Sequence, residues 1–155
     1  MQLDHQLTHV RGGCHGAVGH ATAGGRAFLD IVLSAGAQAP ARARHAAAEA
    51  LASWDRERRE RALLVISELV TNAVLHGSRT PHDRIGLRVA RRGTVTRIEV
   101  SDPGTVDSDE IRPGELGAED SLSGWGLPIV AELTHRWGVA RQRGRTIVWC
   151  ELDGQ

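Results

Sequence analysis

The stretch ISELVTNAVLHG, residues 66–77, combines the hydrophobic pattern of a buried helix with three regularly spaced polar residues. Glu68, Asn72 and His76 stand four residues apart, and because an α-helix has about 3.6 residues per turn they form one stripe along it. A partly desolvated carboxylate next to an amide is unfavourable unless it has a partner, and Mg²⁺, which prefers oxygen ligands, is a suitable one. A polar helix edge satisfied by caps and hydrogen bonds is the alternative. The stretch therefore predicts a core helix with a candidate binding edge.

The apolar positions of this helix divide into a core face and the borders of the polar stripe. Leu64, Val65 and Leu75 flank the stripe, so we expect apolar groups beside it rather than solvent-facing charges. The predicted core face consists of Ala62, Leu63, Ile66, Leu69, Val70, Ala73 and Val74.

The composition is that of a globular domain. The chain has 155 residues, 41% of them hydrophobic and 25% charged, which suits one domain with a single core. Lysine plus arginine and aspartate plus glutamate both number 19, so the net charge gives no reason to expect binding to nucleic acid or to a membrane surface. No apolar run approaches the ~20 residues of a membrane span, and no secretion signal is visible. Two cysteines make no disulfide framework, and we expect a reduced, cytoplasmic setting.

All 19 basic residues are arginine, and the absence of lysine excludes two classes of phosphate-binding protein. A Walker A loop needs a lysine on the phosphates, and a eukaryotic-type protein kinase needs one on its third strand. Phosphate chemistry in this chain would rely on backbone amides, arginine and a metal ion.

The order of elements predicts an α/β fold. The pattern indicates a strand at 28–34, an Ala-rich helix at 39–54, a second helix from Asp55 to Gly77, a hairpin at 85–100, a helix from 124, and a hairpin at 137–152. Asp55 is the candidate N-cap of the second helix, and Gly77 is its candidate C-terminal stop. Helices grouped against such strands predict a two-layer sandwich on a mixed, mostly antiparallel sheet. Residues 28–152 form the predicted domain.

Residues 1–27 are rich in glycine and histidine and predict a poorly ordered extension. Its potential metal ligands, His5, His9, Cys14, His15 and His20, lack a compact ligand spacing, so a metal site there is the less favoured interpretation.

Two further stretches suggest parts of a binding site. Asp102 continues the alternation of Thr96, Ile98 and Val100, so its carboxylate faces the core where the strand ends and could accept a hydrogen bond from a ligand amine. By itself, SDPG at 101–104 is equally typical of an ordinary turn. Thr146 shares a phase with Val148, Cys150 and Leu152 and could reach the same cavity. In SGWGLPIV, residues 123–130, glycines bracket a helix start, where free backbone N–H groups favour an anion. Glycines in this pattern are also typical of helix caps and turns. The long loop at 103–123 before it resembles a lid.

In this order, the stretches ELVTNAVLHG, VSDPG and SGWGLPIV resemble the N, G1 and G2 boxes of the GHKL ATPase superfamily. The resemblance covers roughly residues 28–152 and is greatest to the bacterial anti-sigma-factor serine/threonine kinases. It implies ATP and Mg²⁺ as cofactors.

The resemblance also implies a role for each matching residue. Glu68 would be the general base, Asn72 would hold Mg²⁺, and His76 would line the binding pocket. Asp102 would read the adenine amino group, supported by Thr146, and Gly104 would let the chain pass close to the base. Gly124, Trp125, Gly126 and Leu127 would hold the phosphates by backbone N–H groups. Two positions depart from the family pattern: Val106 replaces a second G1 glycine, and Trp125 replaces a frequent arginine.

Two functions follow from these roles. The first is a kinase that transfers the γ-phosphoryl group of ATP to a serine or threonine of an anti-anti-sigma (STAS-domain) protein. The second is a non-catalytic ATP-binding module that sequesters a sigma factor or another regulatory partner. A sensor histidine kinase fragment is disfavoured, because no phospho-accepting helix precedes the N box. The resemblance also implies that the chain can form a homodimer.

Overall fold

Five strands form one antiparallel sheet in the computed structural model, which describes residues 26–104 and 127–153. The strands are β1 (Ala27–Ser34), β2 (Arg84–Arg92), β3 (Val95–Asp102), β4 (Arg136–Gln142) and β5 (Arg145–Asp153). Their order in the sheet is β1-β2-β3-β5-β4, with every described pairing antiparallel. The helices are α1 (Ala39–Ala50), α2 (Arg56–Asn72) with a π-helical turn (Ala73–Gly77), and α3 (Leu127–Leu133). The α/β two-layer prediction is confirmed.

Alternation along the two central strands decides which side chains reach the core. In β3 and β5 buried residues alternate with half-exposed ones, as expected for strands covered on one face. The predicted buried phase of β3 holds from Thr96 to Asp102, and that of β5 holds from Thr146 to Leu152. The buried residues of β3 end at Asp102 and those of β5 begin at Thr146. Because Asp102 pairs with Thr146, these two polar residues lie at the same end of the sheet.

Helix α1 is shorter than its predicted range of 39–54. It ends at Ala50, and Leu51 caps it through its backbone N–H. Trp54 then packs edge-on against Phe28, with ring centroids 5.7 Å apart, and carries the guanidinium of Arg58 over its ring at 3.8 Å. The next helix needs its own cap at Asp55, so the chain leaves the helical conformation before that residue.

The predicted cap of α2 is confirmed, because the Asp55 side chain accepts a hydrogen bond of 2.9 Å from the backbone N–H of Arg58. The predicted single helix to Gly77 is not regular, since its last five residues form the π-helical turn. The core face lies as predicted, with Leu63 and Val74 partly buried against it.

The predicted borders of the polar stripe are wrong in one respect. Val65 is fully buried in the core, whereas Leu64 and Leu75 are 45% and 66% exposed. Helix α2 packs on α1 and α3 as well as on β3, so it buries a wider arc than a helix lying on one neighbour. Leu64 lies one helical turn before Glu68, in line with the stripe, and Leu75 lies in the π-helical turn.

The last two strands are joined by a two-residue turn. Arg143 and Gly144 both have positive φ, 53° and 74°, as a type I′ hairpin turn requires. Helix α3 ends at Leu133 rather than near Trp137, because residues from Arg136 onward pair with β5 as the edge strand β4.

The sheet face opposite the helices carries a charged network. Arg97 on β3 donates to Glu99 at 2.7 Å and to Glu151 on β5 at 3.1 Å. Its guanidinium also lies 3.9 Å from the ring of Trp149, which packs against Gly138 on β4. This network joins the three strands β3, β5 and β4.

Within residues 26–104 and 127–153, no helix has the length and apolar character needed to cross a membrane.

Candidate functional site

Asp102 is the last residue of β3 and is only 3% exposed. The backbone N–H of Gly104 donates a hydrogen bond of 2.8 Å to its Oδ1 atom. Directly across the sheet stands Thr146, which is also buried. A carboxylate has capacity for several donors, so Asp102 can accept a further hydrogen bond from a ligand.

Burial decides the electrostatics of this carboxylate. Desolvation raises the pKa of Asp102, while the Gly104 hydrogen bond and the charges of Arg145 and Arg141 lower it in part. The pKa of Asp102 is raised overall, because desolvation has a larger effect than the hydrogen bond and the arginine charges together. A desolvated acceptor of this kind is unfavourable by itself and favours a ligand that donates to it.

Gly104 occupies a position that accepts only glycine without strain. Its φ is +73°, in the left-handed region, and a Cβ added there would lie 2.9 Å from Thr146 Oγ1. The chain can therefore turn away from β3 beside Thr146 and still present its N–H to Asp102.

Gly77 meets the same carboxylate from the helix side. A Cβ at Gly77 would lie well within 3.0 Å of all three atoms of the Asp102 carboxyl group. The π-helical turn thus ends directly against the end of β3. The sequence indicates Gly77 only as a helix stop, since a contact between residues 25 positions apart leaves no local signal.

The stripe of polar residues lies at the C-terminal half of α2 and in the turn that follows. Glu68 and His76 are half-buried, and Asn72, the last residue of α2, is 7% exposed. The π-helical turn contacts β3, and its last residue, Gly77, lies against Asp102, so the C-terminal end of the stripe lies near the sheet end that carries Asp102.

Asn72 fits a role as a metal ligand. Its Nδ2 atom is buried without a hydrogen-bond partner among the described residues, so that atom does not hold the amide in a structural hydrogen bond. An amide oxygen suits Mg²⁺, which commonly takes one or two protein ligands and completes its shell with water and phosphate oxygens. The described residues contain no group of three or more His, Cys, Asp or Glu that could hold a metal.

The third predicted part of the site is described only at its end. Leu127, the first residue of α3, is 4% exposed and belongs to the core, and α3 packs against α2. Gly124, Trp125, Gly126 and most of the predicted lid loop lie outside the described residues. The histidines and Cys14 of the first 25 residues also lie outside them.

A cleft of about 510 Å³ opens beside Gly104 and Thr146. Four arginines line it: Arg79, Arg141, Arg143 and Arg145. Among the lining residues that the structure describes there is no carboxylate, and their charge favours an anionic ligand. Arg145 is held in place by hydrogen bonds to the carbonyl oxygens of Arg84 and Ser101. The sequence predicts that any phosphate chemistry would rely on arginine. That these four arginines lie close together could not be predicted, because it arises only in the folded chain.

Comparison with known proteins identifies the family of the chain and a similar solved structure. A family model of the histidine kinase-like ATPase domain matches residues 33–151. No curated protein matches the chain. Among solved structures, the chain is similar to the crystal structure of the RsbU and RsbW domains of Rv1364c from Mycobacterium tuberculosis. The identity is 25%, the TM-score is 0.58, and the match covers 81% of this chain and 32% of that one. This chain therefore corresponds to about a third of the protein it matches.

Proposed function

The chain belongs to the histidine kinase-like ATPase domain family, and on this premise we propose that it binds ATP with Mg²⁺ and phosphorylates a serine or threonine of a partner protein. The proposed partner is a STAS-domain anti-anti-sigma protein, and the proposed setting is the cytoplasm. The similarity to a structure that contains an RsbW domain supports this branch of the family.

The observation that carries the nucleotide assignment is the environment of Asp102. Its carboxylate is buried at a strand end, has its pKa raised by desolvation, and accepts only one hydrogen bond from the described backbone and side chains. An exocyclic amine of adenine would supply a donor that this acceptor lacks. Asn72, on the helix that contacts the same strand, would hold Mg²⁺ through its amide oxygen.

Glu68 is the proposed general base. The serine or threonine oxygen of the partner would form a bond to the γ-phosphorus as the bond from that phosphorus to the β,γ-bridging oxygen breaks and ADP leaves. The proton of the attacking hydroxyl would pass to the Glu68 carboxylate. Glu68 stands one helical turn before Asn72, so base and metal ligand share one helix face. The bound Mg²⁺ would offset the charge that develops on the phosphoryl oxygens.

A protein substrate is supported by the surface around Glu68. Leu64 and Leu75 are among the exposed large hydrophobic residues of the described part of the chain. Leu64 lies one turn before Glu68 on the same face, and Leu75 lies in the π-helical turn beyond Asn72. Apolar side chains on both sides of the base offer contact area to a folded partner, whereas a small hydroxyl compound would not need it.

The experiment is incubation of the protein with Mg²⁺, γ-labelled ATP and a STAS-domain protein encoded by the same genome. The kinase proposal predicts label on a serine or threonine of the STAS protein. ATP binding without label on any partner would refute the kinase and support the alternative, a non-catalytic module that sequesters a sigma factor. Asn72→Ala serves as a second variant, and we expect it to lose the Mg²⁺ dependence of ATP binding.

A further inference from the structure

Gly77 does more than end the helix. Its φ lies outside the left-handed region, so its backbone would accept an alanine. A Cβ at this position would instead overlap the carboxyl group of Asp102. The reason for glycine here is therefore space for another side chain and not its own conformation.

The π-helical turn brings this glycine to the strand. Residues 73–77 leave the α-helical path directly after Asn72, and the turn contacts β3. Turns of this type are frequent at functional sites. The five-residue turn thus begins directly after the proposed metal ligand, Asn72, and its last residue, Gly77, packs against the carboxylate of Asp102.

The strand cannot yield to a larger residue at position 77. β3 lies between β2 and β5, hydrogen-bonded to both, and Asp102 is still in register with Thr146. A side chain at position 77 would therefore rotate the carboxylate away from its site and break the hydrogen bond from Gly104 to Oδ1.

We propose that Gly77 is a positioning residue for base recognition, because its missing side chain leaves the space in which the Asp102 carboxylate faces a 6-aminopurine. This inference rests on the proposed ATP binding and adds a residue that determines the choice of nucleobase. Loss of the space would remove the preference for an amino group over an oxo group at C6, even where the fold survives.

The test is a double-mutant cycle between Gly77→Ala and Asp102→Ala, with Kd values measured for ATP and for inosine triphosphate, which carries an oxo group at C6. Wild type should prefer ATP. Gly77→Ala should weaken ATP binding about tenfold or more, the value expected for loss of a hydrogen bond to a charged group, and should change inosine triphosphate little. In the Asp102→Ala background, Gly77→Ala should have no further effect on either Kd, because the two residues act as one unit.

The matched control is Gly36→Ala. Gly36 also has no positive φ, and a Cβ there would meet nothing within 4 Å. It should leave both Kd values unchanged. Urea unfolding of each variant shows whether it folds, and Asp102→Ala should relieve any destabilisation by Gly77→Ala.

Two results would overturn the proposal alone. One is a Gly77→Ala protein that still prefers ATP as wild type does. The other is a variant that weakens both nucleotides equally in both backgrounds, which would indicate a role in helix geometry only. A wild-type protein that binds neither nucleotide would instead refute the proposed function, and this inference with it.

Discussion

Asp102 and Thr146 face each other across the β3–β5 pair, and both side chains are buried under the helices. The buried side chains just before Asp102 in β3 and just after Thr146 in β5 are hydrophobic. Asp102 and Thr146 therefore form the polar end of a mainly apolar sheet face. Gly104 and Gly77 approach the same carboxylate from the loop and from the helix layer. The arrangement leaves a desolvated acceptor at one end of the sheet.

Asp102→Asn should weaken ATP binding and stabilise the free protein. The amide lacks the charge that an adenine amine would meet, and loss of a charged hydrogen bond corresponds to about 1.5–3 kcal/mol, or roughly 10- to 150-fold in Kd. Isothermal titration measures this loss, and an unchanged Kd would contradict the adenine assignment.

The stability gain of Asp102→Asn should depend on pH. A raised pKa means that the folded state binds the Asp102 proton more tightly than the unfolded state does. The ionised carboxylate therefore lowers stability, an effect absent below the ordinary pKa of 3.8 and complete above the raised folded pKa. Urea unfolding of the two proteins should give a stability difference that opens as pH rises through this window. A difference that shrinks with rising pH would contradict the assigned direction.

Leu64→Ser with Leu75→Ser should impair phosphorylation of the protein partner without impairing nucleotide binding. Both side chains are exposed near Glu68, so their loss removes apolar contact area from the docking surface only. We expect kcat/KM for the partner to fall roughly tenfold, as for loss of about 1.4 kcal/mol of binding energy. Arg56→Ser, at an exposed position near the start of the same helix, is the matched control and should have little effect. Equal kcat/KM values in all three proteins would argue against this docking face.

Cys150 should report nucleotide binding without any assay of catalysis. It is buried in the core, and burial raises the pKa of its thiol to about 12, so the reactive thiolate is scarce in the folded protein. In a Cys14→Ser background, labelling of Cys150 should require unfolding. ATP with Mg²⁺ at 100 times its Kd stabilises a protein by about 2.7 kcal/mol, so labelling should slow roughly 100-fold. Rapid labelling that ATP does not change would contradict both the burial and the binding.

Arg97→Met should destabilise the sheet while leaving the nucleotide site intact. The change leaves Glu99 and Glu151 without their shared guanidinium and removes its contact with Trp149. We expect a loss of roughly 1.5–3 kcal/mol in unfolding free energy, because hydrogen bonds between charged groups here are largely shielded from water. The ATP Kd should not change, since the network lies on the other face of the sheet. Arg56→Met, which removes an exposed ion pair with Glu60, is the control and should scarcely affect stability.

The features that could be predicted from the sequence are those set by local patterns. Alternation gave the buried phase of Asp102 and Thr146, and the N-cap at Asp55 needs only the residues next to it. Both depend on side-chain periodicity or short-range hydrogen bonds, which a sequence displays directly.

The features that escaped prediction depend on contacts distant in sequence. Val65 lies in the core because α2 packs on several neighbours, which an ideal helical wheel does not show. The π-helical turn keeps nearly the same hydrophobic pattern as an α-helix, so periodicity could not reveal it. The overlap of Gly77 with Asp102 arises only when the helix layer covers the sheet.

The most direct test of the proposed kinase is the single-turnover rate of phosphoryl transfer from ATP to a STAS-domain partner by wild type and by Glu68→Gln, with both proteins saturated with ATP and Mg²⁺. The variant should bind ATP with an unchanged Kd, and transfer should slow by roughly 10²- to 10⁴-fold, the usual contribution of a general base. Transfer by Glu68→Gln at the wild-type rate would contradict the account.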